Sequence, residues 1–106
     1  MKLLTKELIK RFKQVGSQEN LDDPIVIVKF FNPCGAGRWF ATEYNEEEKM
    51  FFGYVSLFGD HCDELGYFSL AELESIKTKP FGLGIERDLH FKEIPLSEVV
   101  KQYTKI

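Results

Sequence analysis

The sequence predicts one α+β domain over residues 1–106, with a mainly antiparallel sheet of four to five strands and with N-terminal, middle and C-terminal helices. The predicted elements come in the order helix, three or four strands, helix, strand, helix, which is typical of an α+β domain. Connections between consecutive strands are short and favour hairpins over parallel crossovers. A chain of 106 residues is long enough for one domain and too short for two ordinary ones.

Residues 5–15 are predicted to form an amphipathic helix, because apolar side chains such as Leu8 and Phe12 recur at helical spacing. Thr5 is the expected N-cap, since its hydroxyl can accept hydrogen bonds from the N–H groups of the first turn. Gly16 is the expected stop, because glycine accepts the left-handed backbone at a helix end. Lysines and an arginine fill the opposite face, which we expect to be solvated.

Ile25–Phe31 is apolar nearly throughout and predicts a strand buried on both faces at the centre of the sheet. Asn32–Gly37 supplies the asparagine, proline and glycines of a chain reversal. Arg38–Tyr44 then predicts a second strand, antiparallel to the first. Because a strand follows the glycines, we interpret this segment as a hairpin and not as a phosphate-binding loop.

Two further strands are predicted at Met50–Phe58 and Leu65–Phe68, with a polar turn over Gly59–Glu64 between them. Gly53 lies inside the first of these strands and indicates a bulge or a large neighbouring ring.

Ser69-Leu70-Ala71-Glu72 has the spacing of a capping box and predicts a short helix that ends near Ile76. Proline is well tolerated in a first helical turn, so Pro95 is expected to open the last helix. The remaining predicted segments are a loop at Lys77–Gly84, a strand at Asp88–Phe91 and a C-terminal helix from Pro95 through Tyr103.

Composition and charge exclude several classes of protein. The net charge of −3 disfavours binding to a nucleic-acid duplex, which needs clustered lysines and arginines. The N-terminus lacks an apolar run of signal-peptide length, and no stretch approaches the ~18 apolar residues of a membrane span. Two cysteines are too few for a disulfide framework, so we expect reduced thiols and a cytoplasmic location.

No motif in the sequence names a reaction, a metal or a cofactor, and we expect a protein that is not an enzyme. The run Asp60-His61-Cys62-Asp63 carries four metal-competent side chains, but adjacent residues rarely converge on one ion, so a solvated turn is favoured. Cys34 would need a histidine within hydrogen-bond reach to act as a nucleophile. The sequence leaves open whether His61, Cys62 or Cys34 has any role.

Aromatic and acidic residues supply two candidate contact surfaces. Aromatics are in excess, with ten Phe, four Tyr and one Trp, and such side chains anchor many interfaces. Acidic residues gather in the loops at either end of the third strand, where they could meet a basic protein site. The sequence leaves open which surface is used. The aromatic candidates are Trp39, Tyr44, Phe52, Tyr54 and Tyr67, and the acidic candidates are Glu43, Glu46, Glu47, Glu48, Asp60, Asp63 and Glu64.

Six segments resemble a known family, the domain-of-unknown-function family 2958, over about Leu4 to Val99. They are DPIVIVKFFNP, RWFATEY, FFGYVSLFG, ELGYFSLAELESI, GLGIERDLHF and PLSEV, and they keep their order. The resemblance implies a small bacterial protein often carried on phages, plasmids and integrative elements, and it transfers no activity. The positions that it marks are Trp39, Glu43, Tyr54, Gly66, Tyr67, Glu86, Arg87 and Asp88.

The sequence and the resemblance together favour a non-enzymatic accessory protein that binds a host protein, including an inhibitor of host defence of the antirestriction or anti-CRISPR type. The alternative is a nucleic-acid or nucleotide-binding factor, which rests on strand aromatics and on Lys29, Arg38 and Arg87. Arg87 between two carboxylates is most simply an ion-paired loop anchor, and alternatively it orients a ligand. The candidate binding residues are Arg38, Trp39, Glu43, Tyr44, Tyr54, Tyr67, Glu86, Arg87 and Asp88.

Overall fold

A computed structural model describes residues 2–57, 64–78 and 82–103. These residues form an α+β domain with a mainly antiparallel sheet, which confirms the predicted fold class. The helices are α1 (Lys6–Val15), α2 (Leu70–Ser75) and α3 (Leu96–Tyr103). The strands are β1 (Ile25–Val26), β2 (Val28–Phe31), β3 (Arg38–Asn45), β4 (Met50–Ser56), β5 (Glu64–Ser69), β6 (Lys77–Thr78), β7 (Leu83–Gly84), β8 (Glu86–Arg87) and β9 (Ile94–Pro95).

The main sheet has the strand order β5-β4-β3-β2-β8, and every neighbouring pair in it is antiparallel. The central strand is therefore β3, and the prediction that Ile25–Phe31 forms the centre is wrong. That segment is split at Ile27, because β1 leaves the main sheet to pair with β9. The Ile27 N–H still donates to the Ala41 carbonyl at 2.9 Å, so the chain stays attached to β3 at the break.

The sheet separates two apolar cores. Side chains alternate along a strand, and Trp39 and Ala41 accordingly pack on one side while Phe40 packs on the other. Helices α1 and α2 cover the first side, which we call the α1 side. Helix α3 covers the second, the α3 side, where Val99 packs with Val26 and Phe40.

The predicted N-caps of α1 and α2 are confirmed by their capping contacts. The Thr5 hydroxyl accepts from the Leu8 N–H at 3.2 Å, and Gly16 has a φ of 70° at the end of α1. Ahead of α2, the Glu72 N–H donates to the Ser69 hydroxyl at 2.9 Å, and the Ser69 N–H donates to the Glu72 carboxylate at 3.3 Å. These hydrogen bonds satisfy backbone N–H groups at the helix N-termini, which have no partner within the helix.

The region after α2 differs from the prediction. A strand at Asp88–Phe91 is wrong, since the strand lies at Glu86–Arg87 and Asp88 instead begins a turn. The Asp88 carboxylate accepts from the His90 N–H at 2.9 Å, a side-chain contact that aspartate offers to tight turns. The segment predicted as a loop has β6 and β7 paired at its two ends. Helix α3 begins at Leu96, one residue after Pro95.

Gly53 and a bulge in β3 face each other across the β3–β4 ladder. The register shifts between Ala41 and Glu43, so Thr42 is the extra residue. A Cβ at Gly53 would lie 1.8 Å from the Phe40 carbonyl oxygen. The bulge therefore needs glycine opposite it, and it reverses which side of the sheet the following residues face. Glu43 consequently pairs with Phe52 on the α3 side, whereas unbroken alternation would place it beside Ala41 on the α1 side.

Candidate binding cleft

The α3 side is only partly covered, and a cleft of about 330 Å³ lies beyond the edge of α3. Its floor is β3 and β4, one wall is β5, and the other wall is the segment 18–24 that precedes β1. We call it the β5 cleft. It is lined by Gln18, Glu19, Leu21, Asp22, Pro24, Thr42, Glu43, Phe52, Leu65, Tyr67 and Leu96.

Gln18 fixes one wall of the cleft to the sheet. Its side chain is only 3% exposed, and its amide nitrogen donates to the Thr42 carbonyl at 2.7 Å and to the Ile25 carbonyl at 2.9 Å. Its amide oxygen accepts from the Ile25 N–H at 2.7 Å. Because a buried amide is costly unless its hydrogen bonds are made, this side chain holds the segment in one position between β1 and β3.

The same wall is also tied to α3. The Leu96 N–H donates to the Pro24 carbonyl at 2.8 Å. The Asp23 carboxylate accepts from the Ser97 hydroxyl at 2.6 Å and from the Ser97 N–H at 2.9 Å, in the first turn of the helix. The Ser97 hydroxyl, followed by the Ser97 backbone N–H, lowers the pKa of Asp23 below its usual value. The wall is thus anchored at both ends.

The opposite wall exposes large apolar side chains. Tyr67 is 75% exposed and Leu65 is 51% exposed, although both lie in a strand of the main sheet. The Tyr67 ring meets the half-buried Phe52 ring edge to face, with 4.9 Å between centroids. Across the cleft Leu21 is 57% exposed. Exposed apolar side chains gathered around one hollow are typical of a contact surface.

The charges that line the cleft are all negative. Glu19, Asp22 and Glu43 contribute carboxylates, and no lysine or arginine is among the lining residues that the structure describes. The Gln18 backbone N–H donates to one oxygen of Glu43 at 3.2 Å, which orients that carboxylate. The ion pairs found among residues 2–57, 64–78 and 82–103 join other groups, namely Arg11–Glu93, Lys13–Glu46 and Lys29–Asp88.

Of the predicted binding residues, Glu43 and Tyr67 come together in this cleft. Trp39 and Tyr54 are 7% and 5% exposed and pack into the cores on the α1 and α3 sides respectively. Tyr44 is half-buried against Phe51, at 4.7 Å between centroids. Burial, followed by the charges of Glu46 and Glu74, raises the pKa of Tyr44. Burial leaves Trp39 and Tyr54 little surface to offer a partner.

The charged candidates hold the fold together at other places. Arg38 donates to the Gly35 and Gly37 carbonyls at 2.9 and 2.8 Å and so closes the hairpin turn. Arg87 donates to the Lys2 carbonyl at 2.9 Å, which anchors the chain ahead of α1.

Asp88 and Glu86 flank this arginine at the β8 edge of the sheet, which lies opposite the β5 edge. Asp88 lies 3.4 Å from the Lys29 ammonium. Glu86 borders a separate hollow with Leu3 and Leu73. These three charged residues therefore lie at the other edge of the sheet and do not contribute to the β5 cleft.

Several cleft residues carry no signal of their position in the sequence. The segment 17–23 reads as an ordinary polar loop, and nothing in its composition shows that Gln18 is buried or that Leu21 is exposed. The one available signal was the alternation of Leu65 and Tyr67 along β5, which places both on the same face of the strand. The acidic loop at Glu46–Glu48 is exposed but lies outside the cleft lining.

The candidate nucleophile Cys34 lies apart from the cleft lining. Cys34 is exposed in the hairpin turn, and no group of three histidine, cysteine or carboxylate side chains within residues 2–57, 64–78 and 82–103 could hold a metal ion. His61 and Cys62, with the rest of the predicted turn at 60–63, lie outside the described residues. None of the helices described is both long and apolar enough to cross a bilayer.

Comparison with known proteins gives a family and no activity. A family model described as "Protein of unknown function (DUF2958)" matches residues 3–105, nearly the whole chain. No curated protein and no solved structure matches significantly. The chain therefore belongs to the DUF2958 family of proteins of unknown function.

Proposed function

We propose that this protein is a non-enzymatic accessory protein that binds a host protein through the β5 cleft. The setting is a bacterial cytoplasm, and the protein is carried by a phage or another mobile element as an inhibitor of host defence, of the antirestriction or anti-CRISPR type. The family resemblance supports the setting. The observation that supports the binding role is the set of exposed apolar side chains around the acidic β5 cleft, namely Leu21, Leu65 and Tyr67.

The exposure of Tyr67 is the main physical support. A tyrosine ring buries a large area at low entropic cost and is enriched at the centres of interfaces. By contrast, Tyr44 is half-buried and Tyr54 is buried. A ring that is 75% exposed contributes less to folding stability than a buried one, because most of its apolar surface stays in water. A binding role explains the arrangement.

The alternative, nucleic-acid or nucleotide binding, is less well supported. The three carboxylates of the cleft would repel phosphate groups. The basic residues on which that alternative rests engage other parts of the chain: Lys29 pairs with Asp88, and Arg38 and Arg87 donate to backbone carbonyls. Phosphate binding needs lysines and arginines clustered on one surface.

The proposal is tested by affinity capture from a bacterial host lysate with the intact protein, two matched single variants and one double variant in the cleft. Leu65→Ser removes apolar area from the cleft. Leu89→Ser makes the same change at a residue that is 63% exposed and outside the cleft lining. We expect the intact protein and Leu89→Ser to retain the same host protein, and Leu65→Ser combined with Tyr67→Ser to lose it.

Two results would contradict the proposal. One is that no host protein is retained above the level of a bare resin. The other is that the cleft variants and the Leu89→Ser control capture the partner equally well. A gel-shift titration with single-stranded DNA and RNA at low salt tests the alternative of nucleic-acid binding. We expect no complex. A complex that weakens as the salt concentration rises would favour nucleic-acid binding.

A further inference from the structure

We infer that the β5 cleft is a socket for an arginine side chain presented by the partner protein. This inference rests on the proposed binding role and adds the chemistry of the occupant. It depends on three features of the cleft: an aromatic pair that can meet a planar cation, an oriented carboxylate, and an apolar rim that suits an aliphatic stem.

The aromatic pair lies between the floor and the β5 wall. Phe52 is half-buried in β4, and Tyr67 stands beside it on β5 with 4.9 Å between ring centroids. A guanidinium group stacks on the face of an aromatic ring because the ring face is electron-rich. Since Tyr67 is 75% exposed, an incoming side chain has access to its ring.

The carboxylate of Glu43 is the natural partner for the charge. The bulge at Thr42 puts Glu43 on the same side of the sheet as Phe52, its partner across the ladder. The Gln18 N–H holds one of its oxygens. A carboxylate has about four acceptor sites, so it retains capacity for the paired N–H donors of a guanidinium.

Charge complementarity selects the occupant. Glu19 and Asp22 add negative charge on the wall opposite β5, and none of the described lining residues is cationic. An anionic or purely apolar segment would leave these carboxylates facing it without compensation. Among cationic side chains, arginine combines a planar fork for carboxylates with a face that stacks on rings, and lysine offers only a compact charge.

The size and rim of the cleft suit one long side chain. A volume of about 330 Å³ is at the lower end of the ~300–1,000 Å³ typical of small-molecule pockets. The three methylenes of an arginine stem can lie along apolar surface while its head reaches a charge. Leu65 and Leu21 offer that surface on opposite walls, so the partner's backbone would lie over the rim.

The test is an NMR titration of the isotopically labelled protein with N-acetyl-arginine methylamide. Citrulline, lysine and leucine derivatives blocked in the same way are the controls. For a probe of this size we expect dissociation constants of ~1–10 mM. The shifts should be largest at backbone amides of Phe52, Gly66 and Tyr67, and should follow the order arginine, lysine, citrulline. Citrulline isolates the charge because it keeps the shape of arginine and is neutral.

Glu43→Gln tests the carboxylate directly. The glutamine oxygen can still accept from the Gln18 N–H, so the wall should stay in place while the charge is removed. We expect the affinity for arginine to weaken roughly three- to tenfold, because a charge-assisted hydrogen bond at a half-buried site is lost. Glu47→Gln, in the exposed acidic loop outside the cleft, should leave the affinity unchanged.

Several outcomes would overturn the arginine inference. They are equal binding of citrulline or the leucine derivative, shifts spread over the acidic loop instead of the cleft, and an unchanged affinity in Glu43→Gln. If the cleft variants still lose a captured host protein while the arginine probe fails to bind, the proposed binding role stands and only the identity of the occupant is wrong. If the cleft variants capture the host protein as well as the intact protein does, and the arginine probe also fails to bind, both proposals are wrong.

Discussion

The two sides of the sheet use their aromatic side chains differently. On the α1 side two helices cover the strands, and Phe51 is fully buried against Phe30 and Phe68, at 5.3 Å from each ring. On the α3 side a single helix covers β1, β3 and β4, and Tyr67 at the β5 edge remains in water. One side stabilises the fold, while the other leaves part of its apolar surface for another molecule.

The largest difference in stability should be found between variants of Phe51 and Phe52, which are neighbours in β4 and face opposite sides of the sheet. Phe51→Ala removes a fully buried ring, and we expect a loss of ~3–5 kcal/mol in the free energy of unfolding. Phe52→Ala removes a half-buried ring from the cleft floor and should cost only ~1–2 kcal/mol. Urea denaturation measures both. Equal losses would mean that the cleft floor contributes to the core as much as the α1 side does.

A second pair of variants tests how far tight packing extends on the α1 side. Gly53 and Gly66 are opposite each other on β4 and β5. An alanine Cβ at Gly53 would collide with the Phe40 carbonyl, whereas at Gly66 it meets nothing within 4 Å. We expect Gly53→Ala to destabilise by ~1–3 kcal/mol or more, and Gly66→Ala to stay within ~0.5 kcal/mol. Thermal unfolding distinguishes the two, and similar melting temperatures would contradict the bulge geometry.

The smallest effect should appear on the α3 side as pH falls. Hydrogen bonds from Ser97 lower the pKa of Asp23, and the side-chain hydrogen bond from Arg11 lowers the pKa of Glu93. A carboxyl whose pKa is lower in the folded state stabilises the fold above its unfolded pKa of ~4, and that contribution is lost as pH falls through the folded value. We therefore expect α3 to loosen below about pH 4 before the main sheet does.

Hydrogen-exchange protection factors of α3 amides, measured between pH 6 and pH 3, report this loosening. Asp23→Asn is the control, because its side-chain oxygen can still accept from the Ser97 N–H but does not titrate in this range. The variant should show a smaller change in α3 protection with pH. An identical change in the intact protein and in Asp23→Asn would show that another group controls the acid response.

Local signals predicted the parts of the fold that depend on nearby residues. The Thr5 and Ser69 caps and the Asn32–Gly37 turn satisfy hydrogen bonds within a few residues of themselves, so their sequences specify them directly. The split at Ile27 could not be predicted in this way. An apolar run looks the same whether a strand keeps one neighbour or changes it, and the change depends on β9, about 70 residues away along the chain.

The cleft was harder to predict than the fold for a related reason. Residue type alone did not distinguish Trp39 and Tyr54, which pack inside, from Tyr67, which does not. The position of Glu43 depends on the extra residue at Thr42, and a bulge leaves no reliable mark in a single sequence. The family-like segments included both Glu43 and Tyr67, but they also included residues whose contacts hold the fold together, such as Arg87.

The bulge also links the side that Glu43 faces to the way in which Thr42 is accommodated in β3. If Thr42 were paired regularly with β4, strict alternation would turn the Glu43 side chain to the side of Ala41. There it would face an apolar core, where an unpaired carboxylate is strongly unfavourable. Removing residue 42 would instead place Glu43 directly after Ala41 and hence on the opposite side of the strand, so the negative charge would stay in the cleft although the bulge had been lost.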